Sequence, residues 1–214
     1  MIYPDTIVRV LDIKSQKCQS IQISTLYAEC ATSHEMFPPL PTDGSSTIRI
    51  TPGMYEDPVY IQDLNGWTEI TSIRKVREID YNVDWFTLTV FSRETSFKDL
   101  EVVLDSNAVI PVFDVKRMKI GFHGERKYQY TLKRLASLRY DDMLRVIDDG
   151  HLVFGSLRQS LMEKRIYSTG YEVYTKSGFF NAGGLYLWGR EFIPDSVCVV
   201  CPDYQTDKCC KCNQ

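Results

Sequence analysis

The sequence predicts an all-β fold, and three observations carry that expectation. Short runs rich in Val, Ile, Thr, Tyr and Phe recur at near-regular spacing, and such residues fit a pleated, half-buried surface. Turn signals built from Gly, Pro, Asn and Asp separate the runs. Apolar and polar residues alternate in the clearest run, 85–91, where Phe86, Leu88 and Val90 face one way and Thr87 and Thr89 the other.

Taken in order, residues 6–13 and 19–25 read as two strands around a polar turn, and residues 26–34 suit one helical turn. Pro38-Pro39-Leu40-Pro41 and the Gly/Ser-rich stretch after it break the pattern and place a boundary near residue 50. Residues 1–50 therefore read as an N-terminal β extension without an assigned function. Residues 58–62 form a strand, Leu64-Asn65-Gly66 a turn, and residues 67–70 begin the next strand. Further strands follow at 85–91, 100–104 and 109–115. The stretch from residue 131, with Leu132, Leu135, Leu138 and Met143, carries a weak helical or turn pattern. Residues 144–147, 152–157 and 160–167 return to strand. Residues 171–189 read as a closing β-hairpin that turns at Ser177-Gly178, with Gly183-Gly184 marking a bulge or close backbone approach in the return strand. No internal repeat is present.

At 214 residues the chain suits one large domain, or one domain with appendages. A net charge of −3 exerts no global pull toward nucleic acid or membrane. Acid and base lie too close together in the first dozen residues for a secretory signal, and no apolar run approaches the length needed to cross a bilayer. The expectation is a soluble protein of cytoplasmic origin. Five of the seven cysteines lie between Cys198 and Cys212, a clustering that suits a reducing compartment and a metal better than a disulfide framework.

Several stretches together resemble the Hint fold of inteins and hedgehog autoprocessing domains. The closing segment of that family runs F-x-x-x-G, then apolar residues, then His-Asn. Phe180 and Gly184 fit the first part and Leu185, Tyr186 and Leu187 the second, while Trp188 and Gly189 stand where His and Asn are expected. The family's opening reads nucleophile, a few residues, D-T, an apolar pair, then G-W. Asp57-Pro58-Val59-Tyr60-Ile61 with Asn65-Gly66-Trp67 resembles it, which puts the nucleophile near Gly53 or Met54. The T-x-x-H motif resembles residues 103–110, with Asn107 in the place of the histidine, and L-x-x-G-D-x-L resembles residues 138–144. The resemblance implies a Hint-like β domain over residues 51–190. Splicing and autoprocessing need a Cys, Ser or Thr nucleophile and an imidazole proton donor, and splicing also needs a cyclising Asn. The matched positions hold none of these, so the expectation is a chain without enzymatic activity.

Residues 191–214 form a Cys-rich tail. Cys198 and Cys201 make one C-x-x-C and Cys209 and Cys212 a second, and two such knuckles can set four thiolates around a tetrahedral structural zinc. An iron–sulfur cluster is the alternative, and a tail of free thiols is the plain reading. Residues 116–139 hold a basic run, including Lys116, Arg117, Lys119, Arg126, Lys127, Lys133, Arg134 and Arg139, with Phe122, Tyr128 and Tyr130 interleaved. Such residues can bind nucleic acid, although a solvated hairpin face is the plainer reading. His34, His123 and His151 are scattered, and Asp141-Asp142 and Asp148-Asp149 could bind a cation, although exposed turn acids are the plainer reading. The expected role is a structural or assembly module that docks other protein subunits and, by analogy alone, a tailed-phage virion component of the tail or baseplate. The alternatives are a nucleic-acid-binding module on the basic run and a self-processing domain with an unrecognised nucleophile such as Cys18 or Cys30. No small-molecule substrate is evident.

Overall fold

The computed structural model describes residues 1–12, 15–34, 36–37, 45–50, 57–77, 84–92, 99–120, 126–148, 150–163 and 169–189. The strands are β1 (Ile7–Asp12), β2 (Lys17–Gln22), β3 (Met36–Phe37), β4 (Ser46–Arg49), β5 (Tyr60–Asp63), β6 (Gly66–Arg77), β7 (Trp85–Ser92), β8 (Asp99–Asp105), β9 (Val109–Ile120), β10 (Arg126–Arg134), β11 (Met143–Asp148), β12 (His151–Glu163), β13 (Thr169–Thr175), β14 (Phe179–Ala182) and β15 (Leu185–Trp188). One helix, α1 (Ile23–Ser33), follows β2. The all-β expectation holds.

Thirteen strands form one sheet in the order β3-β4-β6-β5-β1-β14-β15-β11-β12-β7-β8, with β13 added to β6 and β2 to β1. β1 therefore lies mid-sheet, between β5 and β14. The structure does not set residues 1–50 apart as an extension, because the sheet and its core run through the expected boundary. Ile23, Leu26, Tyr27 and Cys30 of α1 fall on one helical face and are all buried. The core gathers Ile48, Ile61, Ile70, Ile73, Leu88, Leu104, Ile110, Leu144, Ala182 and Leu185 from strands distant in sequence.

Three local expectations change. Residues 171–175 do not pair with the return strand. They pair with β6, Val173 opposite Ile73. The hairpin turn is Gly183-Gly184 instead, a two-residue loop between Ala182 and Leu185. Both glycines have positive φ, +60° and +92°, as a two-residue turn matched to strand twist requires. The weak helical pattern from residue 131 is strand in its first part, the end of β10, followed by a single 3-10 turn, Leu135–Ser137. Cross-strand pairing with β9 overrides the local propensity there.

The main sheet ends at β8, and residues 1–3 join that end to β13. Ile2 bridges Leu104 on one side and Tyr171 on the other. Its N–H donates to the Tyr171 carbonyl at 2.8 Å, and the Tyr171 N–H donates back at 3.0 Å. Met1 and Ile2 of this strap line one wall of a cavity.

Candidate functional site

A cavity of about 140 Å³ opens beneath the strap, lined by Met1, Asn107, Tyr171, Glu172, Tyr174, Trp188 and Gly189 among others. Each wall comes from a different part of the chain. Met1 arrives on the strap, Asn107 on the turn between β8 and β9, Glu172 and Tyr174 on β13, and Trp188 and Gly189 at the end of β15.

Residue 105 grips residue 1 twice. The Asp105 N–H donates to the Met1 carbonyl at 3.2 Å, and the Asp105 carboxylate pairs with the Met1 nitrogen. Asp105 is only 2% exposed. On the opposite wall the Glu172 carboxylate accepts from the Tyr174 hydroxyl at 2.7 Å and from Arg74 at 3.4 Å. Burial, and then the Glu172 charge, raise the Tyr174 phenol above its ordinary pKa, so it stays protonated and acts as a donor.

Gly189 is fixed by its surroundings. Its N–H donates to the Gly178 carbonyl at 2.8 Å, and its carbonyl accepts from the Thr175 N–H at 2.7 Å. A Cβ at this position would lie 1.9 Å from the Val173 carbonyl oxygen and 2.7 Å from Phe180. No side chain fits there. Trp188 lies against Gly178, where an added Cβ would meet its ring at 2.6 Å, and it packs edge-on to Phe179 with centroids 5.0 Å apart.

Of the expected site residues, Asn107, Trp188 and Gly189 line the cavity together. Gly53 and Met54 lie outside the described residues. The β5–β6 hairpin that follows them in sequence turns at Leu64-Asn65, with Asp63 paired to Gly66. Met1 also lines the cavity, and sequence reasoning did not single it out. The signal was present in the opening M-I-Y-P-D-T-I-V, where Asp5-Thr6 and the apolar pair Ile7-Val8 fit the opening motif better than Asp57-Pro58 does. Cys198, Cys201, Cys209 and Cys212 lie outside the described residues, as do His123 and Asp149. Among the described residues no group of three His, Cys, Asp or Glu could hold a metal ion.

Cys18 and Cys30 do not line the cavity. Cys18 is exposed on β2, and Cys30 is buried in α1, where desolvation pushes its thiol up to about 12. Treating the folded protein with iodoacetamide at neutral pH is expected to label Cys18 and leave Cys30 unmodified, as read by peptide mapping. Equal labelling would contradict the burial of Cys30. In the basic run, Lys133 pairs with Asp142 at 2.7 Å. The rings of Tyr128 and Tyr130 are packed on Phe154 and Phe179, with centroids 4.9 and 5.1 Å apart, and are committed to the body of the protein.

No family model matches this sequence, and no curated protein matches it. Solved structures do match it. The TvoVMA intein aligns with a TM-score of 0.57 at 15% identity, over 87% of this chain and 95% of that one. The transcription factor IIB Mvu mini-intein aligns at 0.62 and 12%, over 88% and 100%. An intein from a hyperthermophile aligns at 0.59 and 11%, over 87% and 98%. The chain has the Hint-like fold of inteins. These neighbours also correct the expectation of a chain without enzymatic activity, which rested on replaced motif positions: inteins are self-splicing domains, so the fold's company is catalytic. The virion tail or baseplate role and the zinc gain no support from them.

Proposed function

We propose that this chain is a self-processing, autoproteolytic domain that cleaves the peptide bond whose nitrogen belongs to residue 1. The observation that carries the reading is the cavity where Met1 meets Trp188 and Gly189. A reaction at a domain's own boundary needs the boundary atoms held in one pocket. The inteins that share the fold are self-splicing. Full splicing needs a cyclising side chain at the far end, and Gly189 admits none. Cleavage on the residue 1 side is the reaction this cavity suits.

Among the described residues no Cys, Ser or Thr lines the cavity, so water is the nucleophile. It adds to the carbonyl carbon that precedes residue 1 and gives a proton to Glu172. The C–N bond then breaks as Glu172 passes that proton to the residue 1 nitrogen, which leaves as an amine, so the step is a net hydrolysis. The Asn107 amide, on the same cavity, donates to the carbonyl oxygen as negative charge develops there.

The test is a fusion of the full chain to a folded carrier placed ahead of Met1, followed by intact-mass analysis over time. The expected result is release of the carrier with a free carboxylate, and a product that begins at Met1. Glu172→Gln is expected to slow release by about 10²-fold or more. A fusion that keeps its full mass in every sample overturns the reading.

A further inference from the structure

We propose that Asn65 is a self-modification site. The Gly66 nitrogen attacks the Asn65 side-chain carbonyl and expels ammonia, and water opens the resulting succinimide to aspartate or isoaspartate.

The chain holds a single Asn-Gly pair, at residues 65–66. It lies at the tip of the β5–β6 hairpin, in the turn that Asp63 and Gly66 close, and both of its residues are exposed. The reacting atoms are already held close by the covalent chain, so no second group is needed to bring them together. What obstructs this attack in most sequences is the side chain of the residue that supplies the nitrogen. Gly66 has none, and a Cβ built there would meet nothing within 4 Å. Its φ of +123° is one that side chains rarely permit. When the turn opens by local fluctuation, nothing around Gly66 blocks its approach to Asn65. Two other asparagines among the described residues each lack a condition. Asn107 is exposed, but it precedes Ala108, whose N–H is engaged by the Asp105 carbonyl at 3.1 Å. Asn181 is 4% exposed, precedes Ala182, and accepts the Gly184 N–H on its amide oxygen at 3.1 Å.

The new bond joins the Gly66 nitrogen to the Asn65 side-chain carbon. The bond from that carbon to the amide nitrogen breaks, and the Gly66 proton leaves with it as ammonia. Water then adds at the side-chain carbon to give aspartate, or at the main-chain carbon to give isoaspartate. In isoaspartate the chain runs through the side chain, and the turn becomes one carbon longer. The longer turn cannot keep Asp63 opposite Gly66. Either product also sets a new carboxylate two positions from Asp63, which is only 6% exposed, and like charges so placed repel. The Asp63 carbonyl accepts from the Tyr186 hydroxyl at 3.2 Å, so a change at the exposed tip reaches a residue buried on β15.

The experiment holds the full-length protein warm at mildly alkaline pH, samples it over days, and reads each asparagine by peptide mapping, with isoaspartate detected by an isoaspartyl methyltransferase. Asn65 is expected to convert about tenfold or more faster than Asn107 or Asn181, and to yield isoaspartate as well as aspartate. Gly66→Ala is expected to slow the conversion by about tenfold or more, because its methyl group crowds the attacking nitrogen. An Asn65 that stays intact, or converts no faster than Asn107, overturns the proposal. Aspartate as the sole product overturns it too, since direct hydrolysis of the amide forms no ring. So does an unchanged rate in Gly66→Ala. Should that variant fail to fold, the comparison among the three asparagines of the unaltered chain still decides. No reading here depends on release of a carrier, so this inference and the self-processing reading fail separately.

Discussion

Replacing Gly189 by alanine is expected to destabilise the protein by about 3–5 kcal/mol. The added Cβ would sit 1.9 Å from the Val173 carbonyl oxygen. That oxygen belongs to β13, which is held along its length by β6, so it cannot swing aside as the tip of a long side chain would. The Phe180 ring blocks the second direction at 2.7 Å, and Phe180 is itself buried. The chain's alternative is to detach after Trp188, which gives up the Gly189 hydrogen bonds to Gly178 and Thr175. Urea denaturation reads the loss, and amide exchange at residues 175 and 189 should accelerate more than the global change explains. The informative control is Gly66→Ala. Gly66 has φ +123° and open space around its would-be Cβ, so that variant carries backbone strain without collision and should cost about 1 kcal/mol. Equal costs at the two positions would show that the collision at residue 189 is relieved by movement of β13.

Local signals in this chain are legible wherever the deciding interaction is local. The alternation in β7 is legible in part: Leu88 and Val90 are buried as it implies, but so is Thr87 on the other face, and Phe86 is only half-buried. The Leu64-Asn65 turn reads directly as well. Pairing partners do not. Val173 lies opposite Ile73, a hundred positions away, and nothing near residues 171–175 says that their partner is not the strand that follows. Gly183-Gly184 is compatible with a bulge or with a two-residue turn, and only the pairing of Ala182 with Leu185 settles which. The cavity divides in the same way. Trp188 and Gly189 are marked by the F-x-x-x-G spacing ahead of them. Met1 is concealed, because a methionine at the head of a chain carries no chemical flag, and its only sign is the Asp5-Thr6 pair behind it. The bridging of Ile2 to both Leu104 and Tyr171 is harder still, because it exists only once the strap has closed the sheet.

That dependence on the strap sets up the second large effect. Trp85→Ala is expected to cost about 3–5 kcal/mol, from lost burial and the cavity left behind. It is also expected to loosen residues 1–3 selectively. Trp85 is 2% exposed and meets the Tyr3 ring edge-on, with centroids 5.5 Å apart. A Cβ built on Gly170 would touch both the Trp85 ring, at 2.9 Å, and the Met1 side chain. The indole thus supports the strap from beneath, beside the place where residue 1 is seated. Truncating it removes that support while the Ile2–Tyr171 hydrogen bonds still have both partners, so these bonds should open by local fluctuation rather than vanish. The readout is exchange of the Ile2 amide measured beside that of a core-strand amide. In Trp85→Ala, Ile2 should lose protection well beyond the global loss. In Leu88→Ala, a buried truncation on the same strand, the two amides should lose protection together. Matching behaviour in the two variants would mean that the strap is held by its hydrogen bonds and the Asp105 pair alone, and that the indole serves only the core.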